Sequence, residues 1–122
     1  RGLGDVYKRQ TFWSVWEGEQ LAGIGALKLL DDKHGELKSM RTAPNYLRRG
    51  VASLILRHIL QVAHDRCLHR LSLETGTQAG FTACHQLYLK HGFVDCEPFA
   101  DYQLDPHSRF LSLTLCEDNE LL

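Results

Sequence analysis

The chain has 122 residues, of which 43% are hydrophobic and 24% are charged, so it is long enough for one packed core and too short for two ordinary domains. Its formal net charge of -1 argues against a general nucleic-acid-binding protein, and no window approaches the roughly 18 apolar residues of a membrane-spanning helix. We therefore expect a soluble single domain that binds neither nucleic acid nor membrane.

The cysteines and histidines form neither a disulfide framework nor a metal-ligand pattern. The four cysteines are widely spaced and lack a C-x-x-C pair: Cys67, Cys84, Cys96 and Cys116. Such thiols are typical of a reduced, cytoplasmic protein. The seven histidines show neither H-x-x-x-H nor H-E-x-x-H spacing. The sequence therefore predicts a cytoplasmic protein without a metal site.

Both ends of the chain are expected to lie outside the folded domain. Residues 1–10, RGLGDVYKRQ, lack an initial methionine and a hydrophobic period, and they resemble a translated sequencing-adapter scar. We therefore begin the fold at residue 11. Residues 118–122 are expected to form a frayed tail.

Three β-strands are predicted in the first third of the chain. Two β-prone runs, residues 12–16 and 21–30, flank the polar stretch EGEQ, which predicts a hairpin. Gly23 and Gly25 in the second run indicate a bulge or a close backbone approach. Alternation over residues 36–42 predicts a third strand. In a regular strand one face would carry three of its side chains: Glu36, Lys38 and Met40.

The period changes to helical after Gly50. An apolar stripe then recurs at helical spacing: Ala52, Ile55, Leu56, Ile59, Leu60 and Ala63. Residues 71–75 predict a strand, residues 79–91 a second helix that ends at Gly92, and residues 110–116 a final strand. Three residues are expected to form the buried side of the second helix: Ala83, Cys84 and Leu87. The predicted order is β-β-β-α-β-α-β-β, a mixed α/β sheet with helices on its faces.

The stretch PNYLRRGVASLIL, residues 44–56, joins the third strand to the first helix. A glycine-bearing loop that leads directly into a helix leaves backbone N–H groups unpaired at the positive end of the helix dipole, which favours phosphate binding. Arg48 and Arg49 add charge-assisted donors, while Gly50 and Ala52 stay small. The alternative is a surface loop with two solvated arginines before an ordinary helix.

Two motifs together indicate a family. The sequence MRTAPNYLRRGVASLIL, followed by a strand and then ACHQLYLKHGF, resembles the GNAT superfamily of N-acetyltransferases. The pyrophosphate-binding turn of that superfamily reads Q/R-x-x-G-x-G/A, and a later helix ends in Leu-Tyr-x-x-x-Gly-Phe. The resemblance covers residues 12–116, and LETG with CEPFADYQLDPHSRFLSLTL is similar to one group of small bacterial acetyltransferases. It implies that residues 11–117 form one GNAT domain without the usual first strand and two helices.

The resemblance implies acetyl-CoA as co-substrate and assigns its contacts. Leu47 occupies the Q/R position of the turn, and Phe81 replaces an asparagine that many members place seven residues before the tyrosine. Backbone N–H groups near Met40 would hold the acetyl and pantetheine groups. The implied cofactor-binding residues are Met40, Arg41, Thr42, Leu47, Arg48, Arg49, Gly50, Val51, Ala52 and Phe81.

The resemblance also implies the groups that move protons. Tyr88 matches the tyrosine that protonates the departing thiolate; its alternative role is a half-buried helix tyrosine bonded locally. Glu36 is the first candidate for the general base, and Glu74 is the second, acting through a water. Arg41 could meet an acceptor carboxylate or stay solvated. Four residues would line the acceptor pocket, or else form a polar loop: Phe99, Asp101, Tyr102 and Arg109.

The sequence thus predicts an acetyl-CoA-dependent N-acetyltransferase that moves an acetyl group directly to a primary amine of a small or amino-acid-like acceptor, without a metal. One alternative is a catalytically silent acyl-CoA-binding module. Another is a structural fragment that self-associates through an uncovered sheet face or edge, and a homodimer is also open to the enzyme.

Overall fold

The structure, a computed structural model, describes residues 9–116. Six strands and two helices follow in chain order: β1 (Gln10–Glu17), β2 (Gln20–Leu29), β3 (His34–Thr42), α1 (Val51–Asp65), β4 (Arg70–Gly76), α2 (Thr82–Lys90), β5 (Val94–Asp95) and β6 (Ser108–Thr114). This order confirms the predicted mixed α/β sheet. The first strand begins at Gln10, one residue before the expected start of the fold. The expectations for residues 1–8 and for the tail at 118–122 lie outside the described residues.

The six strands form one sheet in the order β1-β2-β3-β4-β6-β5. All ladders are antiparallel except the one between β3 and β4, which is parallel because α1 connects these two strands. Neither helix among the described residues has the length and apolar content needed to cross a membrane.

Both helices pack on one face of the sheet, whereas the sequence predicts helices on its faces. This helical face carries the apolar core, in which five strand leucines are almost completely buried: Leu27, Leu37, Leu71, Leu73 and Leu111. The predicted stripe of α1 meets them through Ile55, Leu56, Ile59 and Ala63, all buried. Two consecutive crossovers that run in the same direction across a sheet, both right-handed, place their helices on the same side.

A β-bulge in β3 reverses the predicted side of Met40. Between Ile24 and Ala26 the β2–β3 ladder is irregular, because Ser39 and Met40 together oppose the single residue Gly25. Ser39 has a φ of 58°. A Cβ at Gly25 would lie 2.9 Å from Met40 Sδ and 2.6 Å from Cγ2 of an α1 isoleucine, so Met40 lies on the helical face. Its predicted grouping with Glu36 and Lys38 is wrong because the extra residue breaks the alternation.

The second helix is shorter and less buried than predicted. It begins at Thr82, after a 3₁₀ turn over Ala79–Phe81. Ala83 is exposed, Cys84 and Leu87 are half-buried, and Tyr88 is the buried residue of this helix. The packed face therefore centres on the i, i+4 pair of Cys84 and Tyr88, which turns Ala83 toward solvent.

The opposite face of the sheet is covered in part by residues 96–107, the loop between β5 and β6. Phe99 is buried there and packs edge-on against Phe110 of β6, with ring centroids 6.0 Å apart. Tyr102 packs against both rings. An aromatic cluster thus holds this loop against β3 and β6.

Candidate active site

A cleft opens where β3 and β4 part. These strands pair only from His34 to Glu36 and from Arg70 to Ser72, and beyond Glu36 they diverge. The gap forms a cavity of about 550 Å³. Its lining residues come from both strands and from the region of α2: residues 37–41, residues 73–76, Phe81, Cys84 and Tyr88. The cleft therefore brings together five predicted site residues: Met40, Arg41, Glu74, Phe81 and Tyr88.

Tyr88 supplies a neutral hydroxyl to the cleft wall. Its side chain is 6% exposed, and its ring packs against Phe93 with centroids 5.7 Å apart. Burial raises the pKa of Tyr88 well above its ordinary value, and the nearby Cys84 adds to the effect. No described residue forms a hydrogen bond with this hydroxyl, so the local bond of the alternative role is not found there. The group is a protonated donor at neutral pH.

The two candidate carboxylates lie in different surroundings. Glu36 is only 3% exposed and is absent from the cleft lining. Its Oε2 accepts a hydrogen bond from the Tyr102 hydroxyl at 2.6 Å and lies 3.5 Å from Lys38 Nζ. Glu74 lines the cleft, and its Oε2 accepts a hydrogen bond from Ser108 Oγ at 2.6 Å. Glu74 is therefore the carboxylate that a molecule in the cleft can reach.

The turn before α1 leaves backbone N–H groups without helical partners at the start of the helix. Gly50 is the N-cap in a left-handed conformation with φ 82°, and a Cβ built there would meet no atom within 4 Å. The first helical bond runs from Leu54 N–H to the Gly50 carbonyl at 3.0 Å. The amides of Val51 and Ala52 consequently have no acceptor within the helix. They lie at the positive end of the helix dipole.

The two arginines of the turn differ in their contacts. The Arg49 guanidinium stacks over the Tyr46 ring at 4.7 Å and lies 3.7 Å from Glu17 Oε2. The Tyr46 hydroxyl donates to the same carboxylate at 2.8 Å, which ties the turn to the β1–β2 hairpin. Arg48 is exposed, with φ 64°, and has no polar partner among the described residues. Leu47, at the Q/R position, is also exposed.

The remaining predicted cofactor residues lie along the cleft or at its mouth. Arg41 is exposed on the cleft wall, and Thr42 is paired with Gly23 in the β2–β3 ladder outside the cleft lining. Phe81 packs its ring over the backbone of Gly76, where a Cβ would come within 2.6 Å of the ring. Phe81 thus presents an apolar surface to the cleft.

The residues predicted to line the acceptor pocket do not all lie together. Tyr102 reaches Glu36, and Phe99 packs behind it. Arg109 instead forms a bidentate ion pair with Asp95, at 2.7 and 3.0 Å, and its guanidinium lowers the pKa of the Asp95 carboxyl. Asp101 is exposed and lies outside the cleft lining.

Two residues of the site were not identified from the sequence. Lys38 lines the cleft next to Glu36, and its place two residues along the same strand face was a usable signal. Ser108, the partner of Glu74, had no local signal, because the contact joins residues 34 positions apart. Within the described part of the chain, no group of three or more His, Cys, Asp or Glu side chains has a metal-binding arrangement.

Comparisons with known proteins identify the family of this chain. Residues 4–93 match the model of the acetyltransferase (GNAT) family. YedL, an uncharacterized N-acetyltransferase of Escherichia coli (strain K12), is 96% identical over 111 residues, which cover 91% of this chain and 70% of YedL. YsnE, an uncharacterized N-acetyltransferase of Bacillus subtilis (strain 168), is 56% identical over 105 residues, covering 86% of this chain and 70% of YsnE.

A solved structure shares the fold over nearly the whole chain. The acetyltransferase from Streptococcus agalactiae 2603 superposes with a TM-score of 0.77 at 26% identity, covering 93% of this chain and 73% of that one. The family match spans the turn before α1 and the Leu-Tyr-x-x-x-Gly-Phe segment. The chain therefore belongs to the GNAT family of acetyltransferases, which confirms the family and the enzyme class predicted from its two motifs.

Proposed function

We propose that this enzyme transfers an acetyl group from acetyl-CoA directly to a primary amine of a small acceptor. The observation that carries the proposal is the cleft between β3 and β4, which holds a protonated hydroxyl and a reachable carboxylate in one cavity. Amine acetylation needs both, because the acceptor nitrogen must lose a proton and the leaving thiolate must gain one.

The turn before α1 fits the pyrophosphate of the co-substrate. The amides of Val51 and Ala52, the open space at Gly50 and Arg48, which has no polar partner among the described residues, form a donor set suited to phosphate oxygens. Phe81 offers an apolar surface for the pantetheine arm, and residues 40–42 lead from the cleft to the turn. Acetyl-CoA, when bound, supplies an activated acetyl thioester.

The proposed reaction uses Glu74 as base and Tyr88 as acid. Glu74 takes a proton from the acceptor ammonium group through a water, which frees the nitrogen lone pair. A C–N bond then forms at the acetyl carbon while the C–S bond breaks, and Tyr88 gives its proton to the thiolate sulfur. The second proton of the attacking nitrogen restores Tyr88 through solvent. Overall, an ammonium ion and a thioester become an amide, a thiol and one proton.

Burial favours Glu74 over Glu36 as the base. Glu36 lies beneath Tyr102 and Lys38 with 3% of its surface exposed, so an acceptor has no direct path to it. Glu74 keeps its Oε1 free of any hydrogen bond among the described residues. A carboxylate must come within hydrogen-bond reach of the proton it removes, directly or through one water.

The test is an acetyl-transfer assay with acetyl-CoA and a panel of primary amines, in which thiol release and the acetylated product are both measured. Glu74→Gln should lower kcat/KM by roughly 10²–10⁴-fold, the usual contribution of a general base. Glu36→Gln, which conserves shape at the buried position, should lower it less. The reverse order would assign the base to Glu36. Acetyl-CoA binding without any amide product would instead indicate a silent acyl-CoA-binding module.

A further inference from the structure

We infer that the acceptor is an amino acid, whose carboxylate binds Lys38 while its ammonium group faces Glu74. The inference rests on the proposed acetyl transfer and specifies which amines the cleft accepts. It comes from two oppositely charged side chains, Lys38 and Glu74, that both line the cleft and form no ion pair with each other among the described residues.

The register of the sheet places these charges at the same level. Glu36 and Ser72 are the last paired residues of β3 and β4. Lys38 and Glu74 each follow two residues later, before the bulge at Ser39, so both extend from the same face of their strands. The strands have begun to diverge there, and both side chains line the cavity between them.

Lys38 is held in place from behind. Its Nζ lies 3.5 Å from Glu36 Oε2 and 3.5 Å from the Tyr102 hydroxyl, while its side chain remains 35% exposed. Tyr102 in turn donates to Glu36 at 2.6 Å, which fixes the buried carboxylate. An ammonium group has three donors, so two such contacts leave one donor for a ligand. Glu36 and Tyr102 therefore act as positioning residues for Lys38.

Glu74 is oriented in a similar way from the other strand. Ser108 occupies one of its oxygens at 2.6 Å, and the other oxygen is available to the cleft. No ion pair joins Lys38 to Glu74 among the described residues, because the divergence of the strands separates them and Lys38 is drawn to Glu36. A ligand that carries both an ammonium group and a carboxylate would complement both charges at once.

Arg41 is the other cation on the cleft wall, but its surroundings differ. It lies beyond the bulge, toward the turn before α1, and it is exposed with no polar partner among the described residues. A flexible arginine there loses more conformational freedom on binding than the restrained Lys38. Arg41→Met is therefore the matched control for Lys38→Met.

The experiment measures acetylation of glycine and the eighteen standard L-amino acids with a primary α-amine against their carboxamides and their decarboxylated amines. For at least one amino acid, kcat/KM should be roughly tenfold or more higher than for its carboxamide and its decarboxylated amine, both of which lack the carboxylate. A loss of this size is expected for a charge-assisted contact. Lys38→Met should remove this discrimination by raising KM for the amino acid, with little change for the decarboxylated amine. Lys38→Glu should reverse the preference, and Arg41→Met should retain it.

The outcomes distinguish a failure of this inference from a failure of the proposed function. Acetylation of carboxamides and decarboxylated amines as fast as amino acids would overturn the inference and leave acetyl transfer intact. Discrimination that survives in Lys38→Met and Lys38→Glu, or that disappears in Arg41→Met, would also overturn it. Absence of acetylation with every amine would refute both. Thermal melting of each variant establishes that it is folded at the assay temperature.

Discussion

The two faces of the sheet are built from different chemistry. On the helical face, leucines from four strands pack against α1 and α2 and are almost completely buried. On the opposite face the buried residues include Glu36, Ser72 and Ser112, and each has a hydrogen-bond partner. Burial of apolar area is the main favourable term in folding, whereas a buried polar group costs free energy unless it is paired. The helical face therefore stabilises the domain, and the opposite face positions charge.

The cleft joins these two faces at the point where the strands part. Tyr88 comes to it from a helix on the helical face, whereas Lys38 and Glu74 come from the opposite face. Substitutions on the helical face should thus change stability or the protonation of the leaving group. Substitutions on the opposite face should change acceptor kinetics. The following measurements test that division, beginning with the largest expected effect.

Tyr88→Phe should test whether a residue on the helical face acts as the general acid. It removes a proton donor from the cleft, and we expect kcat to fall by roughly 10²–10⁴-fold, the usual contribution of a general acid. The melting temperature should change little, since no described residue binds this hydroxyl. Because burial raises the pKa of Tyr88, the wild-type rate should show no loss of this proton as the pH rises to about 9. A kcat within about twofold of wild type would mean that water protonates the thiolate.

Leu56→Ala should test the stabilising role of the helical face, and Leu54→Ala on the same helix is its control. Leu56 is 0% exposed and Leu54 is 48% exposed. We expect Leu56→Ala to lower the free energy of unfolding by about 2–5 kcal/mol, and the control to lower it by less than about 1 kcal/mol. Denaturant unfolding measures both. Equal losses would show that the core is not centred beneath α1.

Arg48→Ala and Arg49→Ala should show how much each arginine of the turn before α1 contributes to acetyl-CoA binding. Acetyl-CoA should raise the melting temperature of the wild type, because a ligand that binds only the folded state stabilises it. Arg48→Ala should weaken acetyl-CoA binding by roughly tenfold, the usual loss for a charge-assisted contact. The loss should be smaller in Arg49→Ala, since Tyr46 and Glu17 already engage Arg49. No melting shift with the wild type would contradict the proposed pyrophosphate site.

His34→Gln should test how a half-buried titratable group on the opposite face makes stability depend on pH. His34 shares a 2.6 Å hydrogen bond with Ser72, and burial, followed by the charge of Arg70, lowers its pKa below the ordinary value of 6.5. The unfolded chain then binds the proton more tightly, so stability should fall as the pH drops below about 6.5 and level off below the folded pKa. Melting temperatures measured at about pH 7.5 and about pH 5 should therefore differ less in His34→Gln than in the wild type. If the melting temperatures at the two pH values differ as much in His34→Gln as in the wild type, His34 is not the source of the pH dependence.

The success of the sequence-based predictions depended on the range of the interactions involved. The α1 stripe was predictable because a 3.6-residue period and a capping glycine are local signals. The side of Met40 was not predictable: Gly25 indicated a bulge or a close backbone approach, but no local signal showed that the extra residue lies in the facing strand. The exposure of Ala83 depends on which side of a short helix packs, and that is decided by distant strands.

The sequence by itself determined the family, the order of the elements, the turn that leads into α1 and the tyrosine on the cleft wall. These features reside in contiguous motifs whose spacing dictates backbone conformation and helix face. Only the tertiary structure decided that Glu36 is buried, that Glu74 is reachable and that Lys38 lines the same cleft. The Glu36–Tyr102 hydrogen bond joins residues 66 positions apart, and the cleft exists because two parallel strands stop pairing after three residues. Contacts of that range form when the sheet assembles, and no local pattern in the chain encodes them.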